Sequence, residues 1–203
     1  MLLRTGRPAG PLRTVPRPAA ALLPRPTVEP LPHGADLLDY LRAARTTGGP
    51  VLDLGAGSGR FAVPLARQGF DVDAVDRDPA RLARLRTWAG TLPGTHPGRV
   101  TTIRAELAEL TLHRRYGLVM MAGGLILELP EHVRPVLLRE IAAHLTRDGV
   151  LALDWISPDA PGAAPGATAP CDLRGCGLRT LRRDRRPLGG GRSSTFLLCG
   201  RRD

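Results

Sequence analysis

Apolar and polar positions follow two different periods along the chain from residue 35 onward. Short, mostly apolar runs predict strands, and apolar residues three or four positions apart predict helices. The predicted strands are 50–54, 70–75, 100–104, 117–122 and 149–155. The predicted helices are 35–45, 58–68, 79–90 and 131–146. Such alternation is typical of a parallel sheet with helices on both faces.

The C-terminal part departs from this alternation. Residues 157–176 are rich in Pro, Gly and Ala, which predicts a loop over the sheet instead of a helix. Two strand-like runs follow at 177–183 and 194–200, and a Gly-rich turn at 189–191 lies between them. This pattern predicts a terminal hairpin.

The composition limits the domain count and the partners. A chain of 203 residues is one domain by size. The eight prolines of residues 1–34 predict a flexible arm, which leaves 35–203 as the domain. The net charge of +10 favours nucleic acid as a partner, but every basic residue is Arg, a pattern expected from GC-rich codon usage. Aromatic residues make up only 3% of the chain, so platforms for stacking bases are scarce. Nucleic acid is the less favoured partner, although the composition leaves it open.

Cysteines and apolar runs indicate the compartment. Cys171, Cys176 and Cys199 are odd in number and lack C-x-x-C spacing, so neither a disulfide framework nor a zinc site is predicted. No apolar run approaches the roughly 18 residues that a membrane span needs. We therefore expect a cytoplasmic protein with reduced thiols, no metal and no membrane anchor. Its oligomeric state is left open.

The segment 51–61, VLDLGAGSGRF, leaves a buried strand through three glycines and enters a helix. Glycines at such a turn let the backbone approach a ligand, and the start of the helix presents N–H groups to it. The dinucleotide fingerprint would require a glycine where this chain has Arg60. The spacing G-x-G-x-G, with Asp53 two residues ahead, instead resembles motif I of the class I S-adenosylmethionine (SAM) methyltransferases.

Three further stretches match this family. The second predicted strand ends in Asp76, where the family's acid holds the ribose hydroxyls; the alternative is a helix cap near Asp78. Glu106 and Leu107 resemble the third-strand motif whose acid binds the adenine amino group, with Glu where Asp is commoner. The fourth strand ends at Ala122, beside the methionine part of SAM in the family.

The resemblance covers roughly residues 50–200, and the terminal hairpin resembles the family's last two strands. It implies an α/β fold: a Rossmann-like, doubly wound and mostly parallel sheet of seven strands with a C-terminal antiparallel hairpin. It also implies SAM as the cofactor. Arg77 would flank the adenine ring, or else is a surface cation. The cofactor-binding residues so implied are Asp53, Gly55, Ala56, Gly57, Gly59, Asp76, Arg77, Glu106, Leu107 and Ala122.

SAM supplies an activated methyl group, so the enzyme mainly has to align a nucleophile and exclude water. Glu128, Glu131 and His132 follow the fourth strand and are the candidates for a base. The simpler explanation for all three is a first-turn acid or a surface imidazole at the next helix. Tyr40, on the predicted helix 35–45, either faces the cofactor or packs in the core. Packing is favoured because the apolar face of an amphipathic helix usually points to the core.

The end of the fourth strand narrows the acceptor. Its sequence, Ala-Gly-Gly-Leu, lacks the Asn or Asp, Pro-Pro and aromatic pattern of enzymes that methylate exocyclic amines of bases. Residues 120–127 contain no acids for metal-dependent O-methylation. The leading hypothesis is N- or O-methylation of a small metabolite or natural product, including an amine of a peptide natural product. The alternatives are an RNA methyltransferase that uses residues 179–186 to bind phosphate, and a non-catalytic SAM-binding module. Arg60 disfavours a nicotinamide enzyme.

Overall fold

The computed structural model describes residues 37–92, 94, 98–158 and 172–202. The predicted arm at 1–34, the first two residues of the predicted helix 35–45 and most of the predicted loop at 157–176 lie outside these ranges, as does Cys171. Within them, Cys176 and Cys199 are both buried. None of the helices in these ranges is long and apolar enough to cross a membrane.

Helices and strands alternate along the described chain. The helices are α1 (Leu37–Thr47), α2 (Ala62–Arg67), α3 (Pro79–Ala89), α4 (Leu125–Glu128) and α5 (Val133–His144). The strands are β1 (Val51–Leu54), β2 (Val72–Asp76), β3 (Val100–Arg104), β4 (Tyr116–Met121), β5 (Leu145–Pro158), β6 (Leu178–Gly189) and β7 (Arg192–Arg201). A 3₁₀ turn at Leu107–Glu109 follows β3.

In the described residues the strands form one seven-stranded sheet in the order β3-β2-β1-β4-β5-β7-β6. Strands β1 to β5 pair in parallel, whereas β7 lies antiparallel between β5 and β6. This topology confirms the predicted Rossmann-like sheet with its terminal hairpin. Strands β2 and β3 are added on one side of β1, and strands β4 and β5 on the other side. Open α/β sheets bind ligands at the carboxyl ends of the strands beside such a switch in strand order.

The core lies on both faces of the sheet. All residues of β1 and β4 are buried, as near-continuous apolar runs of central parallel strands require. Leu52 and Val119 pack with α5 on one face. Val51 and Met120 pack with α1 and α2 on the other. The site at the carboxyl ends of these strands therefore stands on a rigid base.

Several element boundaries differ from the predictions. The helix predicted at 58–68 begins only at Ala62, because the three glycines before it adopt positive φ angles that end any regular helix. The 3₁₀ turn and α4 were not predicted, since three or four residues are too few to show a period. Strand β6 and the end of β5 are longer than predicted because β7 pairs along both of them, and β5 begins earlier because Leu145 pairs with Tyr116 of β4. Accordingly, Ser157 and Pro158 belong to β5 and not to a loop.

Candidate functional site

The loop after β1 depends on its glycines for two different reasons. Gly55, Gly57 and Gly59 have φ angles of +70°, +55° and +95°, which L-residues rarely adopt. A Cβ atom on Gly59 would lie 2.8 Å from Cγ of Leu85, so this glycine lets the loop pack on α3. A Cβ atom on Gly57 would meet only the carbonyl oxygen of Gly55, at 4.0 Å. Gly57 thus borders open space in which a ligand can approach the backbone.

Asp76 fixes this loop from the end of β2. Its carboxylate is buried and accepts the N–H of Gly57 at 2.8 Å and the N–H of Asp78 at 2.8 Å. The cap of α3 is Asp78, whose side chain accepts the N–H of Ala80 at 2.8 Å. The alternative role predicted for Asp76 therefore belongs to Asp78. Each carboxylate oxygen of Asp76 keeps a lone pair that can accept a ligand hydroxyl.

Asp53 is a buried acid beneath the same loop. The N–H of Ala62 donates to its carboxylate, while its Oδ2 atom has no hydrogen-bond partner among the described residues. Burial is the main reason that the pKa of Asp53 is raised from 3.8 to about 7; the Ala62 hydrogen bond opposes this rise and the neighbouring Asp76 adds to it. A cation placed near Asp53 would favour its ionised form.

A cavity of about 430 Å³ lies at the carboxyl ends of β1 to β4. Six of the ten predicted cofactor-binding residues line it: Gly55, Asp76, Arg77, Glu106, Leu107 and Ala122. The other four do not line the cavity: Asp53 belongs to β1, and Ala56, Gly57 and Gly59 belong to the loop that follows β1. The structure therefore brings the whole predicted set to one end of the sheet.

The opposite wall of the cavity comes from α4 and the start of α5. Its apolar members are Leu125, Leu129, Pro130 and Val133. Glu128, one of the three predicted bases, is exposed on this wall. Glu131 and His132 are exposed at the start of α5 and do not line this cavity. Among these three predicted bases the geometry therefore favours Glu128.

Asp154 was missed by the sequence reasoning. It lies in the middle of β5 with 1% of its surface exposed, and its Oδ1 atom accepts the hydroxyl of Tyr40 at 2.5 Å. The same oxygen accepts the N–H of Gly123 at 2.9 Å, at the cavity wall. The available signal was an acid inside the apolar run Leu-Ala-Leu-Asp-Trp-Ile. Tyr40 is fully buried, as the packing prediction expects, and its ring meets those of Phe61 and Phe196 edge-on.

The arginine-rich strand β6 is tied to the body of the protein. Arg186 forms an ion pair of 2.8 Å with the buried carboxylate of Asp39 on α1. Arg182 pairs with Asp184 at 2.6 Å. The guanidinium of Arg183 lies 5.8 Å from the ring centre of Trp155. Much of the positive charge on this edge therefore takes part in internal contacts.

Comparison with known proteins agrees with this geometry. Residues 51–149 match the model of a methyltransferase domain family. The ribosomal RNA small subunit methyltransferase A of Anaeromyxobacter dehalogenans is 34% identical over an alignment of 116 residues that covers 52% of this chain and 38% of that protein. The ubiquinone biosynthesis O-methyltransferase of Rickettsia felis is 28% identical over 109 residues, 53% of this chain and 41% of that protein.

The fold also has solved counterparts. The glycopeptide N-methyltransferase MtfA, in complex with S-adenosylhomocysteine, superposes with a TM-score of 0.65 at 20% identity, covering 81% of this chain and 88% of that one. The chain spans less than half the length of the curated relatives it matches. The matched segment contains the glycine loop, Asp76, Glu106 and Ala122. With a methyltransferase domain over residues 51–149, its sheet order and its glycine loop, the chain has the features of a class I SAM-dependent methyltransferase.

Proposed function

We propose that the protein transfers the methyl group of SAM to a nitrogen or oxygen atom of a small metabolite or natural product. The observation that carries this proposal is the cavity, where six residues expected to bind SAM meet at the carboxyl ends of four strands. Its volume of about 430 Å³ lies in the range of roughly 300–1,000 Å³ that is usual for ligand sites. One cofactor-sized molecule fills such a space, so the acceptor approaches from its mouth.

In this proposal each end of the cavity holds one part of the cofactor. Asp76 accepts the ribose hydroxyls, and Glu106 binds the adenine amino group beside Leu107 and Arg77. The methionine part lies between Gly55 and Ala122. The unpartnered Oδ2 atom of Asp53 supports this orientation, because a buried carboxylate oxygen calls for a cation or a donor.

The chemistry asks little of the protein. When bound, SAM would supply a methyl group activated by its sulfonium sulfur, and S-adenosylhomocysteine would be the leaving group. The walls of the cavity align the two reactants and exclude water, with Leu125, Leu129 and Val133 forming the apolar side. An acceptor that arrives protonated has to lose a proton, and Glu128 is the predicted base on the cavity wall that can accept it.

Two observations support a small metabolite or natural product as the methyl acceptor. The apolar wall suits a molecule with hydrophobic surface, and the fold resembles a glycopeptide N-methyltransferase. A second candidate, RNA, is favoured by the net charge of +10 and by the ribosomal RNA relative. Against RNA, Arg182 and Arg186 of the basic strand, although exposed, already pair with acids of the same chain, and Arg183 lies over the ring of Trp155.

The test has a binding arm and a transfer arm. Calorimetry should show binding of SAM and S-adenosylhomocysteine and none of NAD. The purified chain is then incubated with methyl-labelled SAM and either a library of small amines and phenols or total RNA. Label in the small-molecule fraction supports the proposal, and label in RNA at low salt supports the second candidate. Binding of NAD without binding of SAM refutes both, and SAM binding without transfer indicates a non-catalytic module.

A further inference from the structure

A buried hydrogen-bond network connects α1 with the turn that follows β4. The Oδ1 atom of Asp154 accepts the Tyr40 hydroxyl at 2.5 Å and the Gly123 N–H at 2.9 Å. The main-chain oxygen of Asp154 accepts the N–H of Gly124 at 3.1 Å. Both glycines of the turn are therefore held by one residue of β5.

The sheet register places this network directly behind the cavity. Asp53 pairs with Met120, and Met120 pairs with Ala152. Paired residues, and residues two apart on one strand, point to the same face of a sheet. Asp53, Ala122 and Asp154 therefore share the face that α1 covers, so Asp154 lies on the same side as the predicted cofactor-binding acid.

The turn itself has a backbone that needs support. Gly123 and Gly124 have φ angles of +73° and +78°, and Gly123 lines the cavity beside Ala122. Glycine reaches such angles without strain but is also free to leave them. The two hydrogen bonds to Asp154 select one conformation of the turn, and with it one shape of the cavity wall.

Tyr40 is fixed in the form that this network needs. Burial, and next the neighbouring Asp154, raise the pKa of its hydroxyl well above the usual value for tyrosine, so the group remains a donor. Its ring is held by Phe61 at 4.8 Å and Phe196 at 5.2 Å between ring centres. Because these ring contacts do not involve the hydroxyl, a phenylalanine at this position keeps the packing and loses only the hydrogen bond.

We propose that Tyr40 and Asp154 are positioning residues that fix the Gly123–Gly124 turn and so shape the part of the cavity that receives the methionine portion of SAM. This inference rests on the proposed function. Neither side chain contacts the cofactor in this scheme, since both are buried behind the turn. They act through the backbone of Gly123.

The test compares ligands with and without the amino-acid part. Tyr40→Phe should weaken binding of SAM and S-adenosylhomocysteine roughly fivefold, as expected for one lost hydrogen bond. Methylthioadenosine, which keeps the adenosine and the sulfur but lacks the amino-acid part, should bind as it does to the wild type. Asp154→Ala should weaken SAM at least as much. Asp154→Asn keeps an oxygen for both donors and should restore most of the affinity.

Tyr116→Phe is the matched control. The Tyr116 hydroxyl donates to Asp73 at 2.8 Å at the opposite end of the sheet, so its loss affects stability but not ligand affinity. Unchanged SAM affinity in Tyr40→Phe overturns the inference, as does an equal loss for all three ligands. In both cases the wild type still binds SAM, and the proposed function stands. A wild type that does not bind SAM refutes the proposed function and this inference together.

Discussion

Replacing the buried acid Asp53 with asparagine tests how the cofactor loop is built. The pKa of Asp53 rises from 3.8 to about 7 on folding, because its carboxylate is buried. Because the pKa of Asp53 is higher in the folded than in the unfolded state, its protonated form favours folding at low pH. This contribution to the free energy of unfolding is lost as the pH rises towards and through 7. One pKa unit corresponds to 1.36 kcal/mol, so the difference of about three units amounts to about 4 kcal/mol.

The measurement is the free energy of unfolding in urea, from pH 4 to pH 8, for wild type and Asp53→Asn. Asparagine has no charge to bury, so the difference between the two proteins should change by about 4 kcal/mol across this range, in favour of the variant at high pH. Any constant effect of the new amide cancels, because only the change with pH is compared. Asp148→Asn, at an exposed acid, is the control for the loss of a surface carboxylate.

A difference between wild type and Asp53→Asn that stays constant from pH 4 to pH 8 would refute the reasoning. It would show that the carboxylate is hydrated or otherwise compensated in the folded protein. A trend of the opposite sign would mean that the ionised form is the one favoured by folding.

Three further predictions concern the loop and the hairpin. Asp76→Ala removes the acceptor of the Gly57 and Asp78 N–H groups, so it should lower the free energy of unfolding by about 1–3 kcal/mol and weaken SAM binding at least tenfold. Asp78→Ala removes only a helix cap, so it should lower the free energy of unfolding by about 1 kcal/mol and leave SAM affinity unchanged. Urea unfolding and calorimetry measure the two effects. Gly57→Val should abolish SAM binding. The control is Gly190→Val, at a similar φ of +60° in the hairpin turn, which should strain the backbone but leave SAM binding intact. Equal SAM binding by both variants would mean that the glycine loop has only a structural role. Arg186→Ala leaves the buried carboxylate of Asp39 without its close partner and should lower the unfolding free energy by about 2 kcal/mol, whereas Arg182→Ala, at a surface pair, should cost less than about 1; thermal and urea unfolding distinguish them.

The parts of the site that depend on local sequence could be predicted. The glycine loop and Asp76 are about twenty residues apart, and the strand, loop and helix periods place them without any long-range information. The sheet order follows from the alternation of strands and helices and from the family resemblance. Six of the ten predicted cofactor residues consequently line one cavity.

The missed parts depend on partners far away in the sequence. Asp154 and Tyr40 are 114 residues apart, and Asp39 and Arg186 are 147 apart. Each of these contacts requires the register of β5 or β6 against the rest of the sheet, which no local period specifies. The double role of Asp76 was missed for a different reason, since its hydrogen bond to the Gly57 N–H depends on the conformation of the glycine loop, which no strand or helix period specifies.

The buried acids at this end of the sheet imply that ligand binding and folding are coupled. Burial of the ionised Asp53 costs the empty protein about 4 kcal/mol at neutral to alkaline pH. A ligand at one hundred times its dissociation constant stabilises a protein by about 2.7 kcal/mol, which is comparable in size. If the cationic part of SAM lies near Asp53, binding favours the ionised carboxylate and releases a proton below about pH 7. The affinity for SAM should then rise with pH up to that value while the empty protein becomes less stable. A SAM affinity that rises with pH, together with a stability of the empty protein that falls with pH, distinguishes a carboxylate that binds a ligand from one that has only a structural role.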